Sequence, residues 1–185
     1  IYPHGLGVMV RAMRAFPEAG LGLGGVPRSV PGPDPVCLEP AACAREIYWH
    51  GSDILLRSPL STIIRRSSFE AVGGFSGRRS TGDYELWLKL VCHVPTVILP
   101  PYLGYWRDHG EQENYLRSIV HDEWERMDLQ RRYWARAGSG LPTDFCHSVW
   151  RRCRRHYLRM LVNQLAGGRL RNAVGLAQWF WRRSD

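Results

Sequence analysis

The sequence predicts an α/β fold in which a small sheet with flanking helices is followed by a helical C-terminal extension. Short apolar runs, typical of buried strands, occur at residues 21–25, 61–64 and 96–99. Helical patterns lie between these runs, and three more follow them. At 185 residues the chain can form one domain with an appendage. We therefore divide it into an α/β domain over 1–114 and an extension over 115–185.

The remaining elements have weaker local signals. A helix is expected over about 3–16, ahead of the first strand. The proline-rich stretch 26–40 should be irregular, because proline disrupts both helix and sheet hydrogen bonding. We expect partial order over 47–56 and a further strand over 102–106. Glycines divide the extension into three predicted helices, at 115–137, 143–166 and 169–181.

The most informative stretch is 61–90, where a strand, a short helix, a glycine turn and an apolar helix follow one another. Ser67 and Glu70 have the spacing of a capping box, which predicts that the short helix begins at Ser67. Gly73 and Gly74 should end it, because glycine accepts the left-handed conformation of a helix C-terminus. The sequence therefore predicts a tight turn directly before the second helix.

That second helix should be buried on most of its surface. Its polar exceptions are Asp83, Glu85 and Lys89. An acid such as Asp83 in a first turn can simply complement the helix dipole. Glu85 precedes Lys89 by one helical turn, a spacing that favours an ordinary ion pair stabilising by about 0.2–0.5 kcal/mol. One helical face carries apolar side chains throughout: Tyr84, Trp87, Leu88 and Val91.

The string STIIRRSSFEAVGGFSGRRSTGDYELWLKL at 61–90 resembles the second half of the catalytic domain of GT-A-fold nucleotide-sugar glycosyltransferases, of the bacterial family 2 type. That family has a strand ending in basic residues, an FxxVGGF turn, and an acidic motif before an ELWLRL-like helix. The resemblance covers roughly residues 1–115 and implies a partial GT-A, Rossmann-like sheet. One departure is Gly82, which stands where many members have Glu.

The resemblance implies roles for individual residues. Asp83 would be the general base that takes the proton of the acceptor hydroxyl. Gly73 and Gly74 would let the backbone approach the acceptor. Glu85 would help to orient the acceptor, and Trp87 would form a nearby wall of the site. For Trp87 a core position is the favoured alternative, because the residue belongs to the apolar stripe.

A second motif, YWRDH at 105–109, resembles the family's YR-x-H motif. A lone histidine is usually a polar loop residue, but the resemblance implies that His109 reaches a divalent metal, Mg²⁺ or Mn²⁺, or the donor diphosphate. Arg107 would contact a phosphate or hold the loop. The family's DxD metal motif precedes a segment that resembles residues 2–15, so the remaining ligands are expected upstream of residue 1.

The implied activity is transfer of a sugar from a nucleotide-sugar donor to a glycan or lipid-linked acceptor of the cell-envelope polysaccharide type. The transfer would be inverting, because the resemblance supplies one base and no second nucleophile. Residues 1–185 alone are expected to be inactive, since the DxD half would be missing. The alternative of a different class is a non-catalytic binding or scaffold module derived from such a half-domain.

Positive charge is concentrated in the tail. Residues 145–185 carry nine basic residues and one acidic residue. An apolar stripe and an arginine-rich face over 145–165 fit a helix on an anionic membrane surface, and they fit equally a helix packed on its own domain. The aromatic and basic end, WFWRR at 179–183, favours the membrane. A nucleic-acid-binding module is a weaker alternative, because no known nucleic-acid-binding motif is present.

Cysteine usage and hydropathy indicate the compartment. The five cysteines are odd in number and lack the spacing of zinc ligands, which favours reduced, mostly buried thiols. No run of about 18 apolar residues is present, so the sequence predicts no membrane-spanning helix. These features predict a cytoplasmic protein, peripheral on the inner face of the plasma membrane if the tail binds lipid.

Overall fold

Four short strands form one mixed sheet in the computed structural model, which describes residues 1–24, 34–49, 59–78, 81–101, 103–105, 119–135 and 139–181. The order across the sheet is β2-β4-β1-β3. Strands β1 and β4 are therefore central, and β2 and β3 are the edges. The strands are β1 (Leu21–Gly24), β2 (Val36–Leu38), β3 (Thr62–Ile64) and β4 (Thr96–Leu99).

The two central strands are parallel, whereas each edge strand is antiparallel to its neighbour. Leu21 lies opposite Thr96, and Gly24 lies opposite Leu99. Strands β1 and β4 consequently end on the same side of the sheet, which we call the carboxyl edge. In open α/β sheets ligands bind beyond this edge.

Helices flank the sheet and account for most of the remaining described residues. A single 3-10 turn, Pro59–Ser61, directly precedes β3. The α-helices in the described part of the chain are α1 (Gly5–Ala15), α2 (Pro40–Trp49), α3 (Arg66–Ala71), α4 (Gly82–His93), α5 (Ile119–Trp134), α6 (Thr143–Ala166) and α7 (Leu170–Trp181).

The sheet separates two apolar clusters. On one side Met9 and Met13 of α1 pack against Val97 and Leu99 of β4. On the other side Leu21, Leu23 and Ile98 join a larger cluster with residues of α2, α4, α5 and α6. Successive strand residues point to opposite faces, so each central strand serves both clusters. Because α5 and α6 contribute residues to the larger cluster, the predicted extension shares the core of the sheet. The predicted boundary between residues 114 and 115 lies outside the described residues and stays a prediction.

One arginine connects the end of β3 to the end of α1. The guanidinium of Arg65 donates hydrogen bonds to the backbone carbonyls of Ala19, at 2.6 Å, and Met13, at 2.7 Å. The carbonyls in the last turn of a helix lack intrahelical partners. Arg65 supplies one for α1 and holds the start of α3 against it.

The sequence prediction was wrong over 36–40, and it left the helix that follows unassigned. Val36–Leu38 forms an edge strand on β4, although this part of the proline-rich stretch was expected to be irregular. An edge strand needs hydrogen bonds on one side only, and Pro35 lies just outside it. Helix α2 was also missed. Pro40 occupies its first position, where proline is favoured because its missing N–H has no helical acceptor to lose.

Two further expectations need correction. Helix α3 begins at Arg66, its N-cap Arg65 makes no side-chain capping bond, and Ser67 lies inside the helix, so the predicted capping box is not formed. No strand runs through 103–105, the described part of the strand expected over 102–106. There the carbonyl of Leu103 accepts a hydrogen bond of 3.1 Å from the N–H of Tyr2, outside any ladder.

The predicted glycine stop after α3 is confirmed. Gly73 and Gly74 both have positive φ angles, of 75° and 62°. Their N–H groups donate to the carbonyls of Glu70 and Phe69, which closes the helix end. The two sites differ in space, because a Cβ at Gly73 would meet nothing within 4 Å whereas one at Gly74 would meet the ring of Phe69 at 2.8 Å.

We expect Gly73→Ala to lower the free energy of unfolding by about 1–2 kcal/mol, the cost of a left-handed non-glycine residue. Gly74→Ala should cost about 1–3 kcal/mol more, because the Phe69 ring must also move. Gly175→Ala is the control, because it lies in α7 in open space and should stabilise by about 0.5–1 kcal/mol. Urea denaturation measures all three, and equal losses for Gly73→Ala and Gly74→Ala would contradict this packing.

Candidate active site at the start of helix α4

Asp83 lies in the first turn of α4, as the sequence predicts. Its side chain is partly buried, and its Oδ1 accepts a hydrogen bond of 2.7 Å from the backbone N–H of Tyr84. Oδ2 has no hydrogen-bond partner among the described residues. The carboxylate is thus held at one oxygen, and its other oxygen can accept a proton.

The position of α4 relative to the sheet follows from its connection to β4. Val94 and Pro95 alone separate the two elements, and Val94 packs against the larger apolar cluster. A link this short reverses the chain, so we infer that α4 runs antiparallel to β4. Its first turn, with Asp83, then lies toward the carboxyl edge.

Other segments meet at the carboxyl edge. Leu103, which follows β4, accepts a hydrogen bond from Tyr2 and packs against Gly5 at the start of α1. Gly24, the last residue of β1, lies against Ser61, the last residue of the 3-10 turn before β3. The N-terminal residues, the segment after β4 and the 3-10 turn therefore surround this edge.

Glu85 has a different environment from the one the sequence predicts. It is 5% exposed, although it was expected among the polar exceptions on α4. Its Oε2 lies 3.0 Å from the Nε of Arg78 and accepts a hydrogen bond from the hydroxyl of Ser76. Its Oε1 accepts a hydrogen bond of 2.6 Å from the hydroxyl of Tyr133.

The predicted Glu85–Lys89 ion pair is replaced by these contacts. Helix α5 covers Glu85 and contributes Tyr133 and Glu125 to a polar network around Arg78. The Oε1 atom of Glu125 lies 2.8 Å from Nη1 of Arg78. Lys89 instead lies 3.5 Å from the carbonyl of Gly74 and 5.9 Å from the ring centre of Tyr133. The carboxylate of Glu85 is satisfied inside the protein, so its expected contact with an acceptor stays a prediction without support from this geometry.

The network shifts the titration of its members. Burial by itself would raise the pKa of Glu85, but the hydrogen bonds from Ser76 and Tyr133 and the charge of Arg78 lower it overall. Burial, with the hydrogen bond to Glu85, raises the pKa of Tyr133 to about 12. Glu85 is therefore ionised and Tyr133 protonated at neutral pH, the states that their hydrogen bond requires.

The other predicted substrate contacts divide between surface and core. Gly73 is exposed and Gly74 is buried, and the adjacent Phe75 is 54% exposed. Trp87 is 1% exposed and belongs to the larger apolar cluster, which supports the core interpretation. Its indole presents no surface to a sugar, so we leave it out of the candidate site.

Arg107 and His109 lie outside the described residues, and their predicted roles are untested. Within the described ranges, no group of three or more His, Cys, Asp or Glu side chains could hold a metal ion. The described residues do not by themselves fit the expected Mg²⁺ or Mn²⁺, and we derive no step that depends on it.

The tail helix α6 buries apolar residues in the core over its first half and exposes several apolar residues over its second. Phe145, Val149 and Cys153 are buried in the larger cluster. Farther along, Val162 and Leu165 are 59% and 50% exposed. The packed-helix interpretation therefore holds for the first half. The arginine face is exposed throughout, at Arg151, Arg152, Arg154, Arg155 and Arg159.

The structure describes every cysteine of the chain. All five cysteines are free, and four of them are buried, as the sequence predicts; they are Cys43, Cys92, Cys146 and Cys153. Burial raises the pKa of Cys43 and of Cys92 to about 12, so both are neutral thiols. No helix in the described ranges combines the length and apolarity needed to cross a bilayer.

Sequence reasoning missed the partners of Glu85 and a cavity beside α6. Ser76 and Arg78 follow the glycine turn and lie close to Glu85 in the sequence. Because a buried acid on a helix needs a basic partner, their contact with Glu85 could have been predicted. Tyr133 and Glu125 carried no such signal because they come from a distant helix.

No protein-family model, curated protein or solved structure matches the chain.

We expect Glu85→Gln to lower the free energy of unfolding by about 1.5–3 kcal/mol, because a buried charge-assisted network loses its anion. Glu70→Gln is the matched control. Glu70 also pairs with an arginine, Arg66, but both side chains are more than 60% exposed, and the loss should stay within about 0.5 kcal/mol. Equal losses in chemical denaturation would mean that the Glu85 network contributes no more than a surface ion pair.

The lowered pKa of Glu85 predicts that its contribution to stability depends on pH. The pKa of Glu85 is lower in the folded than in the unfolded state, so its contribution is complete above the unfolded pKa of about 4.3. The contribution declines as the pH falls through the folded pKa. The stability difference between wild type and Glu85→Gln should therefore shrink below about pH 4.3. A difference that grows on acidification would contradict the lowered pKa.

Proposed function

We propose that this chain is the acceptor-side half of a GT-A-type glycosyltransferase, which transfers a sugar from a nucleotide-sugar donor to a glycan or lipid-linked acceptor. The observation that carries the proposal is Asp83, a partly buried carboxylate in the first turn of α4, eight residues after the GGF turn. This placement agrees with the resemblance of 61–90 to that family. The parallel pair β1 and β4 is compatible with a Rossmann-like sheet but does not by itself identify one.

The chemistry assigned to Asp83 is general base catalysis with inversion. The acceptor hydroxyl oxygen attacks the anomeric carbon of the donor, and its proton passes to Oδ2 of Asp83. The bond from the anomeric carbon to the nucleotide diphosphate breaks, and the diphosphate leaves with the electron pair. The hydrogen bond from the N–H of Tyr84 to Oδ1 orients the carboxylate for this transfer.

The neighbouring elements support this assignment by fixing α4. Tyr84 and Trp87 are 6% and 1% exposed, and the Glu85 network attaches the same turn of helix to α5. Asp83 is thus a partly exposed residue on an otherwise immobilised turn. A rigid support of this kind holds a catalytic group in the productive geometry.

The donor and metal sites of the proposal depend on residues beyond those described. The resemblance assigns a phosphate contact to Arg107, a metal or diphosphate contact to His109, and the DxD aspartates to the sequence before residue 1. Tyr2 lies at the carboxyl edge beside Leu103, the segment that leads toward His109.

We expect Asp83→Asn to lower turnover by at least ~10²-fold in the enzyme that includes the upstream half, with donor binding nearly unchanged. Asp144→Asn is the matched control, because Asp144 is also an acid in a helix first turn, at the exposed start of α6. It should retain full turnover. Near-normal turnover in Asp83→Asn would exclude Asp83 as the base, whereas absence of turnover in the wild type would favour the non-catalytic binding or scaffold alternative.

We further propose that the second half of the tail contacts an anionic membrane surface. Leu158, Val162 and Leu165 are about half exposed on α6, and Leu170 and Val174 are exposed on α7. The arginines of α6 add attraction worth about 1 kcal/mol each near such a surface. A basic and partly apolar helical surface is suited to the headgroup region.

The test is co-sedimentation with liposomes at low and high salt, with and without anionic lipid. Binding should require anionic lipid and weaken at high salt, because the attraction is screened within a Debye length of about 10 Å at 0.1 M. Val162→Ser/Leu165→Ser should bind several-fold less, since apolar insertion is lost. Leu6→Ser, which removes an exposed leucine of α1, should bind normally. Negligible binding in all four conditions would contradict the membrane contact.

A further inference from the structure

An arginine-lined cavity lies between α2 and α6, along residues 148–159 of α6. Its volume is about 510 Å³, within the range of ligand sites in proteins. Arg151, Arg152, Arg155 and Arg159 contribute to its wall, and Tyr48 of α2 closes one side. No acidic side chain is among the described residues that line it.

Two of these arginines are held in place by the protein. Arg152 donates a hydrogen bond of 2.6 Å to the carbonyl of Tyr48, and its guanidinium lies 4.7 Å from the centre of the Tyr48 ring. Tyr48 is itself fixed, because its hydroxyl donates to the carbonyl of Ser148. Arg151 donates to the carbonyl of His147 at 3.4 Å. The wall of the cavity is therefore partly preorganised.

The other two arginines have their donors available. Arg155 and Arg159 make no hydrogen bond or ion pair within the described part of the chain. They lie one helical turn apart, and Arg151 lies one turn before them, so the three form a row about 12 Å long. Like charges at this spacing destabilise a helix, and a bound anion removes that repulsion.

We propose that this cavity binds a phosphate-bearing anion that carries about two negative charges, either a phosphomonoester headgroup or a diphosphate. A guanidinium group can donate two parallel N–H hydrogen bonds to the oxygens of a phosphate. No acidic side chain among the described lining residues competes for these donors. A row of three arginines exceeds what one phosphate can contact, so a second phosphate is accommodated. The site is separate from Asp83 and does not depend on the proposed transfer reaction.

Calorimetric titration of the full chain with pyrophosphate tests the site. Arg155→Gln/Arg159→Gln should weaken binding by about tenfold or more, since two charged contacts are lost. Arg169→Gln/Arg171→Gln removes the same charge from exposed residues at the start of α7, outside the cavity, and should change binding by less than about twofold. Equal weakening by both pairs would overturn the proposal, because it would mean diffuse attraction to a basic tail.

A second arm identifies the source of the phosphate. Phosphatidylcholine vesicles with and without phosphatidic acid are sedimented with the wild type and both double variants. Loss of phosphatidic-acid-dependent binding in Arg155→Gln/Arg159→Gln alone assigns the site to a lipid headgroup, whether or not pyrophosphate binds. Pyrophosphate binding with vesicle binding unaffected assigns it to a soluble ligand. The proposal fails if pyrophosphate does not bind and the cavity variant sediments like the wild type.

Discussion

The burial of Glu85 is the constraint on which the arrangement of this chain depends. A carboxylate inside a protein is tolerated when its charge and its lone pairs are matched, and Arg78, Ser76 and Tyr133 supply that match. These partners come from the loop after the glycine turn and from α5. Satisfying one side chain therefore fixes the loop, α4 and α5 relative to one another.

The candidate base depends on this arrangement. Asp83 is two residues before Glu85, so the same turn of α4 carries one buried acid and one partly exposed acid. The turn that holds Glu85 cannot rotate without breaking its buried ion pair. Asp83 consequently keeps a fixed direction while remaining partly exposed, a combination suited to repeated proton transfer.

Local patterns predicted the elements whose signals are local. The apolar spacing of α4 and α6 and the short runs of β1, β3 and β4 gave positions close to those observed. Strand β2 was missed because three residues carry little pattern and their pairing with β4 is non-local. The predicted capping box is absent because α3 begins at Arg66, with Arg65 as its N-cap. Ser67 therefore lies inside the helix and not at its N-cap position.

At the candidate site the same distinction applies. The place of Asp83 in a first turn could be predicted from GDYELWLKL, because a helix start is a local property. The burial of Glu85 could not, because it depends on Tyr133 and Glu125 of a helix that is distant in sequence. The arginine cavity was likewise hidden, because α2, which closes it, was not predicted.

The central claim is that Asp83 faces the acceptor at the carboxyl edge of the sheet. A structure of the enzyme that includes the upstream half, with a nucleotide sugar and an acceptor bound, tests it most directly. The account predicts that a carboxylate oxygen of Asp83 lies about 2.6–3.2 Å from the attacking hydroxyl. A donor sugar bound at the opposite edge of the sheet, away from the first turn of α4, would contradict it.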